Sequence, residues 1–292
     1  MSLTIGIGLP NQVLGVDPRI IAPWAVRAEE AGFASLGSVG RIAYPGVIDT
    51  VALAAAAGVT SRIELLSGVT VGTAWPAVLL AKEVASIDGI SGGRLTLGLG
   101  VGDRNRPDDF PIPGLGPRGL GARMDAALPI YRSVWAGEPV GGGEQPAVPA
   151  GTRPVPMMFG GGVPASFARM AKWGTGYIAP SIAPELASGL FDAARAAWRA
   201  AGRPGAPRLA GLSYVALGSE AECEQGRADV YHYYSYLGEQ MASWMVSHVL
   251  TSAADIRRAI DAADGLGADH LLFNPTIPDT AQISRLAEAA GL

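Results

Sequence analysis

Short, continuous apolar runs recur eight times along the chain, and a segment of helical period follows each one. No other feature narrows the possible folds as far. Strands without polar alternation are buried on both faces, which calls for a parallel sheet covered by helices. The runs are Leu3–Leu9, Phe33–Ser38, Ile63–Val71, Leu95–Leu99, Val155–Phe159, Gly176–Ile178, Leu209–Leu217 and His270–Phe273. Helices are expected over Pro18–Ala31, Thr50–Gly58, Ala77–Ile90, Arg123–Trp135, Ala165–Trp173, Pro184–Ala201, Ser219 to about Leu250, Ala254–Leu266 and Thr280–Ala290. Asp17 before Pro18 reads as an N-cap with proline at the first helical position, Gly32 ends that helix, and Asp49 reads as the cap of the next. Eight strand–helix repeats predict an α/β protein, a (β/α)8 TIM barrel. A doubly wound open sheet would need a phosphate loop after the first strand, and Leu9-Pro10-Asn11-Gln12 is not one.

The 292 residues have room for two domains, and Gly137–Pro156, dense in glycine and proline, resembles a linker. The strand–helix alternation resumes directly after it, so the reading is a single barrel domain over 1–292 with insertion loops. With 49% hydrophobic residues the chain is no disordered tail. A net charge of −4 and no dense Lys/Arg run argue against nucleic acid or an anionic membrane surface as partner. The single cysteine, Cys223, excludes an internal disulfide and a thiolate metal cluster. The opening MSLTIGIGLPNQ lacks the pattern of a signal peptide, and no apolar window reaches a membrane span. A soluble, cytoplasmic protein is expected.

In a barrel the chemistry sits at the C-terminal strand ends. The candidates there are Asn11, Ser38–Arg41, Gly68–Thr73, Gly100–Asp103, Gly160–Gly162, Ala179–Ser181 and Asn274. Gly160-Gly161-Gly162 precedes a helix and suits either a phosphate held by backbone N–H groups or a plain tight turn. Gly98–Gly102 (GLGVG) lacks the last glycine and the following helix of a dinucleotide fingerprint. Its glycines instead let a flat ligand approach the barrel mouth. His232, His248 and His270 read as structural, and no metal-ligand spacing appears, so no metal site is expected. There is no G-x-S-x-G elbow. The aromatic stretch Val230–Met245 reads as a lid or dimer surface rather than a cofactor contact.

Three segments carry a resemblance: AEEAGFASL (Ala28–Leu36), WPAVLLAKEVASIDGISGGRLTLGLGVG (Trp75–Gly102) and PVPMMFGGGVPASFARMAKWGTGYI (Pro154–Ile178). Together they resemble the bacterial luciferase-like monooxygenase superfamily, which includes deazaflavin-dependent oxidoreductases. The resemblance implies reduced FMN or coenzyme F-420 at the strand tops and a homodimer formed through helices of the first half. It implies a phosphate on the backbone of Gly161, Gly162 and Val163, beside Gly160 and the loop Ala179, Pro180 and Ser181. It further implies a non-proline cis peptide at Gly68–Val69, next to Thr70, with Gly100 and Gly102 nearby. Asp103 matches a carboxylate that some members use as an acid, and it also reads as a solvated loop residue. Many relatives carry a histidine after the second strand, whereas this chain has Gly37-Ser38-Val39-Gly40-Arg41. Either Arg41, Tyr44 or Asp103 takes over from that histidine, or the reaction needs only hydride delivery and solvent.

The expected function is an oxidoreductase or monooxygenase acting on a small organic substrate, with the cofactor supplying the difficult chemistry. One alternative is a phosphate-binding lyase or isomerase, which would want a strand-end lysine. The only lysines, Lys82 and Lys172, fall on expected helices. The other alternative is a weakly active or non-catalytic flavin-binding relative.

Overall fold

Each apolar run forms a parallel strand in the computed structural model, which describes residues 2–292. In chain order the strands and helices are β1 (Thr4–Gly8), α1 (Ile21–Glu30), β2 (Ser35–Ser38), α2 (Asp49–Val59), β3 (Glu64–Ser67), β4 (Thr70–Val71), α3 (Ala77–Ile90) and β5 (Leu95–Gly100). There follow α4 (Leu120–Trp135), β6 (Met157–Phe159), α5 (Pro164–Trp173), β7 (Gly176–Ser181), α6 (Ser188–Ala200) and β8 (Arg208–Val215). The last are α7 (Glu220–Tyr234), α8 (Glu239–Val246), α9 (Ala253–Gly265), β9 (His270–Pro275) and α10 (Ala281–Ala290). β1 pairs with both β2 and β9, and β5 pairs with both β3 and β4, so the sheet closes into an eight-position barrel.

The continuous apolar runs have a simple cause. Successive strand residues point to opposite faces. Leu65, Met157, Tyr177, Leu209 and Leu271 pack outward in the main core under the helices. Their neighbours Leu66, Met158, Ile178, Ala210 and Leu272 point inward and fill the barrel with Leu212. Both faces are dry, so both need apolar side chains.

Three local expectations change. The third strand, expected as unbroken over Ile63–Val71, divides into β3 and β4 around a cis Gly68–Val69 peptide, with Gly68 N–H donating to Ser38 O at 2.7 Å. The expected single helix from Ser219 is two helices, because Gly238 adopts φ +88° and starts a new one. Asp49 is not a cap: it is the first residue of α2, buried, and accepts the Thr70 hydroxyl at 2.6 Å. Burial pushes its carboxyl up to about 6.

His270 has the structural place expected for it. Its Nε2 meets Ser35 Oγ and its Nδ1 meets Thr4 Oγ1, each at 2.7 Å. Burial pushes the imidazole from an ordinary 6.5 down to about 3. Over that interval the unfolded chain takes up a proton that the folded chain refuses. Stability present in full above pH ~6.5 is therefore lost as pH falls, by up to about 1.4 kcal/mol per unit. Asp49 and Asp229, both raised to about 6, act in the opposite direction. They cancel in a comparison with His270→Gln. Between pH 7 and 5 the wild type should lose about 2 kcal/mol more than the variant in urea unfolding. Equal losses would show that His270 is not held neutral.

Candidate active site

A cavity of about 320 Å³ opens at the C-terminal ends of the strands. Its floor and walls come from backbone and apolar groups: Val39 and Gly40 after β2, Gly68 and Val69, Gly100 and Gly102, Gly160–Gly162, and Ile178–Ser181. Leu212 and Tyr214 of β8, Leu190 of α6, and Tyr233 and Tyr234 of α7 close the far side. Such a site, mostly apolar with a few polar groups, is typical of small-molecule and cofactor pockets. Val69 packs on the inner core layer, which makes the floor rigid.

Local sequence sets each wall. Buried Asn11 clamps Val39, accepting its N–H at 3.0 Å and donating to its carbonyl at 2.9 Å. The β7–β8 register shifts between Ile178 and Ser181, which turns Ala179-Pro180-Ser181 toward the opening. Beyond β6, Gly160 N–H donates to Leu99 O at 2.9 Å. The N–H groups of Gly161, Gly162 and Val163 have no hydrogen-bond acceptor among the described residues. They sit at the start of α5, where the helix dipole favours an anion. Gly161 has φ +109°, a conformation that favours glycine.

Of the residues singled out from sequence, Gly68, Val69, Gly100, Gly102, Gly160, Gly161, Gly162, Ala179, Pro180 and Ser181 all line the cavity. Five do not. Thr70 turns away to bond Asp49, and the Val163 side chain is exposed. Arg41 pairs with Asp109 at 3.4 Å. The Tyr44 hydroxyl meets His232 Nδ1 at 3.1 Å. Asp103 accepts Asn105 N–H at 2.8 Å and the Tyr236 hydroxyl at 3.2 Å. These last three belong to the rim. Gly98, grouped with the ligand-facing glycines on sequence, is buried against Ser67 and Ile178 instead.

Besides Ser181, the polar side chains that line the cavity are tyrosines. Tyr214 and Tyr234 join hydroxyls at 3.1 Å, and Asn274 Nδ2 donates to Ser181 Oγ at 3.4 Å behind them. Burial pushes Tyr214, Tyr233 and Tyr234 above the ordinary phenol range, so all three remain neutral hydrogen-bond donors at physiological pH. The aromatic stretch is therefore divided: Tyr233 and Tyr234 line the site, while Tyr231, Tyr236, Met241 and Trp244 are exposed. Tyr214 stands at the end of the seventh barrel strand, so the strand-end rule alone would have found it. Lys82 and Lys172 lie on α3 and α5, outside the lining. No cluster of three or more potential metal ligands occurs among the described residues, and no helix there is long and apolar enough to cross a membrane.

A family model described as luciferase-like monooxygenase matches residues 4–290. An uncharacterised protein of Mycobacterium tuberculosis is 30% identical over 185 residues, a stretch covering 53% of this chain and 64% of that protein. Among solved structures, an F-420-dependent secondary alcohol dehydrogenase in complex with an F-420–acetone adduct superposes with TM-score 0.79 at 17% identity, covering 99% of both chains. The oxygenating constituent of 3,6-diketocamphane monooxygenase from Pseudomonas putida, in complex with FMN, gives 0.75 at 14% identity and covers 98% of this chain and 96% of its own.

Proposed function

The chain belongs to the luciferase-like monooxygenase family, and from that premise we propose that it is an oxidoreductase using reduced FMN or coenzyme F-420 on a small organic substrate. One observation carries the reading: three unpaired N–H groups adjoin an apolar, glycine-walled cavity at the strand ends. The residues present fit a planar, phosphorylated group. A Cβ at Gly100 would come within 2.8 Å of Val69 Cγ2, so a side chain there would close the space a ring needs. Gly161, Gly162 and Val163 would hold the phosphate, beside Ala179-Pro180-Ser181.

When bound, such a cofactor supplies the hydride or oxygen chemistry. The chain's own residues do the rest. Val69, Ile178 and Leu212 exclude water from the reacting face. Tyr214 and Tyr234 present neutral hydroxyls toward negative charge developing on a substrate oxygen. That pair fills the donor role left by the missing histidine. Arg41 carries five N–H donors and no acceptor, so its part is electrostatic. Asp103 and Tyr44 act at the rim, on the outer end of the substrate.

Titration of the purified chain with FMN and with F-420, followed by fluorescence, tests the reading. One of the two should bind at micromolar concentration; binding of neither would refute it. A homodimer is part of the same proposal, supported by Val51, Val59, Leu79 and Ile90, which are exposed on α2 and α3. Sedimentation should give twice the 29.9 kDa chain mass, and the mass of one chain would refute the dimer.

A further inference from the structure

Behind the cavity-lining Tyr233 ring, two guanidinium groups share one carboxylate. Arg41 follows β2 and Arg106 lies in the loop after β5, and their side chains are only 11% and 8% exposed. Arg41 Nε is 3.4 Å and Arg106 Nη1 4.0 Å from the same oxygen of buried Asp109. The other Asp109 oxygen accepts the Ile42 and Ala43 N–H groups at 3.1 and 2.9 Å. The two guanidinium carbons stand 5.1 and 4.9 Å from the Tyr233 ring centre, and Arg106 Nη2 donates to Tyr233 O at 2.9 Å. Both Nε atoms are buried without a hydrogen-bond acceptor among the described residues. No other described carboxylate, Asp103 and Asp229 included, comes within 4.0 Å of either guanidinium.

Two fixed positive charges therefore face one negative charge in a dry place. No second carboxylate among the described residues pairs with either guanidinium, so the cluster keeps an excess of positive charge. Ring faces offset part of that charge, Tyr236 at 3.5 Å from Arg106 and Tyr44 at 4.9 Å from Arg41, and an anion across Tyr233 would add to the compensation through the field. On the cavity side of Tyr233, the Tyr214 and Tyr234 hydroxyls offer donors and their rings offer a flat apolar wall.

We propose that the Arg41–Arg106 pair makes the Tyr233 side of the cavity a subsite for the carboxylate of an aromatic or planar substrate. The proposal names the substrate class for the oxidoreductase reading and rests on it for the use of the site, though not for the charge itself. The anion takes its hydrogen bonds from the tyrosines, and the arginines behind Tyr233 provide the field. The same cluster also ties the loops after β2 and after β5 to the last turn of α7, so a test must read charge rather than folding.

Calorimetric titration of the full chain with sodium benzoate and with neutral benzamide provides such a reading. Benzoate should bind about tenfold tighter or better, with a preference that shrinks as salt rises. Arg41→Gln should reduce the preference to about threefold or less, and Arg41→Lys should retain most of it. Equal binding of the two probes, no benzoate binding up to about 10 mM, or an undiminished preference in folded Arg41→Gln would each overturn the subsite. If Arg41→Gln does not fold, the wild-type comparison still decides. Titrating the wild type with FMN and F-420 keeps the two readings apart. A benzoate preference without cofactor binding would refute the oxidoreductase and leave the subsite. Cofactor binding without the preference would refute the subsite alone.

Discussion

Gly161→Asp is expected to leave the barrel folded and to reduce cofactor affinity by about a hundredfold or more. The native φ of +109° disfavours any side chain, and an added Cβ would lie 2.7 Å from Ser166 Oγ. Ser166 is the third residue beyond the α5 N-cap Val163, so the backbone cost, about 1–3 kcal/mol, stays within this turn. The new carboxylate would stand where a phosphate is to be held. Like charges about 5 Å apart near a protein surface repel by roughly 3 kcal/mol, which alone is about a hundredfold. Gly161→Ala carries the backbone cost without the charge. The difference between the two variants should therefore shrink with added salt. Fluorescence titration beside thermal melting reads both quantities. An affinity for FMN or F-420 within a few-fold of wild type would move the phosphate elsewhere.

The barrel was legible because its cause is local: a strand buried on both faces must be apolar at every position, and Leu65-Leu66, Met157-Met158 and Leu271-Leu272 are. The strand-end glycines were legible too, since the barrel rule places them and their backbone is what faces the cavity. Side chains at the site were harder to read. Thr70 stands beside the floor, but its hydroxyl turns to Asp49, a partner 21 residues away. Tyr233 and Tyr234 reach the cavity only because α7 folds back across the strand ends. The helical pattern of that stretch says which residues share a face, but not what the face meets. Arg106 showed least of all. In sequence it is one arginine in a Pro-rich loop, and its meaning comes from Arg41, Asp109 and Tyr233, which three separate segments supply.

Alanine at Gly98 and alanine at Gly160 should separate folding from binding, although the sequence treats the two glycines alike. Gly98 lies inside β5 with its N–H and carbonyl both bonded to Ser67 Oγ at 2.8 Å. A Cβ there would enter the van der Waals sphere of Ser67 O and lie 2.6 Å from Ile178 Cδ1. Ser67 O belongs to β3, which ladders with β2 and β5, so the oxygen cannot withdraw without breaking the barrel wall. Gly98→Ala should therefore cost about 3 kcal/mol or more, lowering the melting temperature by roughly 10 °C or leaving the chain insoluble. At Gly160 the nearest atoms to an added Cβ are Val69 Cγ1 at 3.5 Å and Ile178 O at 3.6 Å, both ordinary contacts. The fold accepts that methyl group, and the cavity loses the volume it occupies. Gly160→Ala should melt within about 2 °C of wild type while cofactor affinity falls about tenfold. The reverse pattern, a stable Gly98→Ala or an unfolded Gly160→Ala, would mean that the wall of the site has been assigned to the wrong glycines.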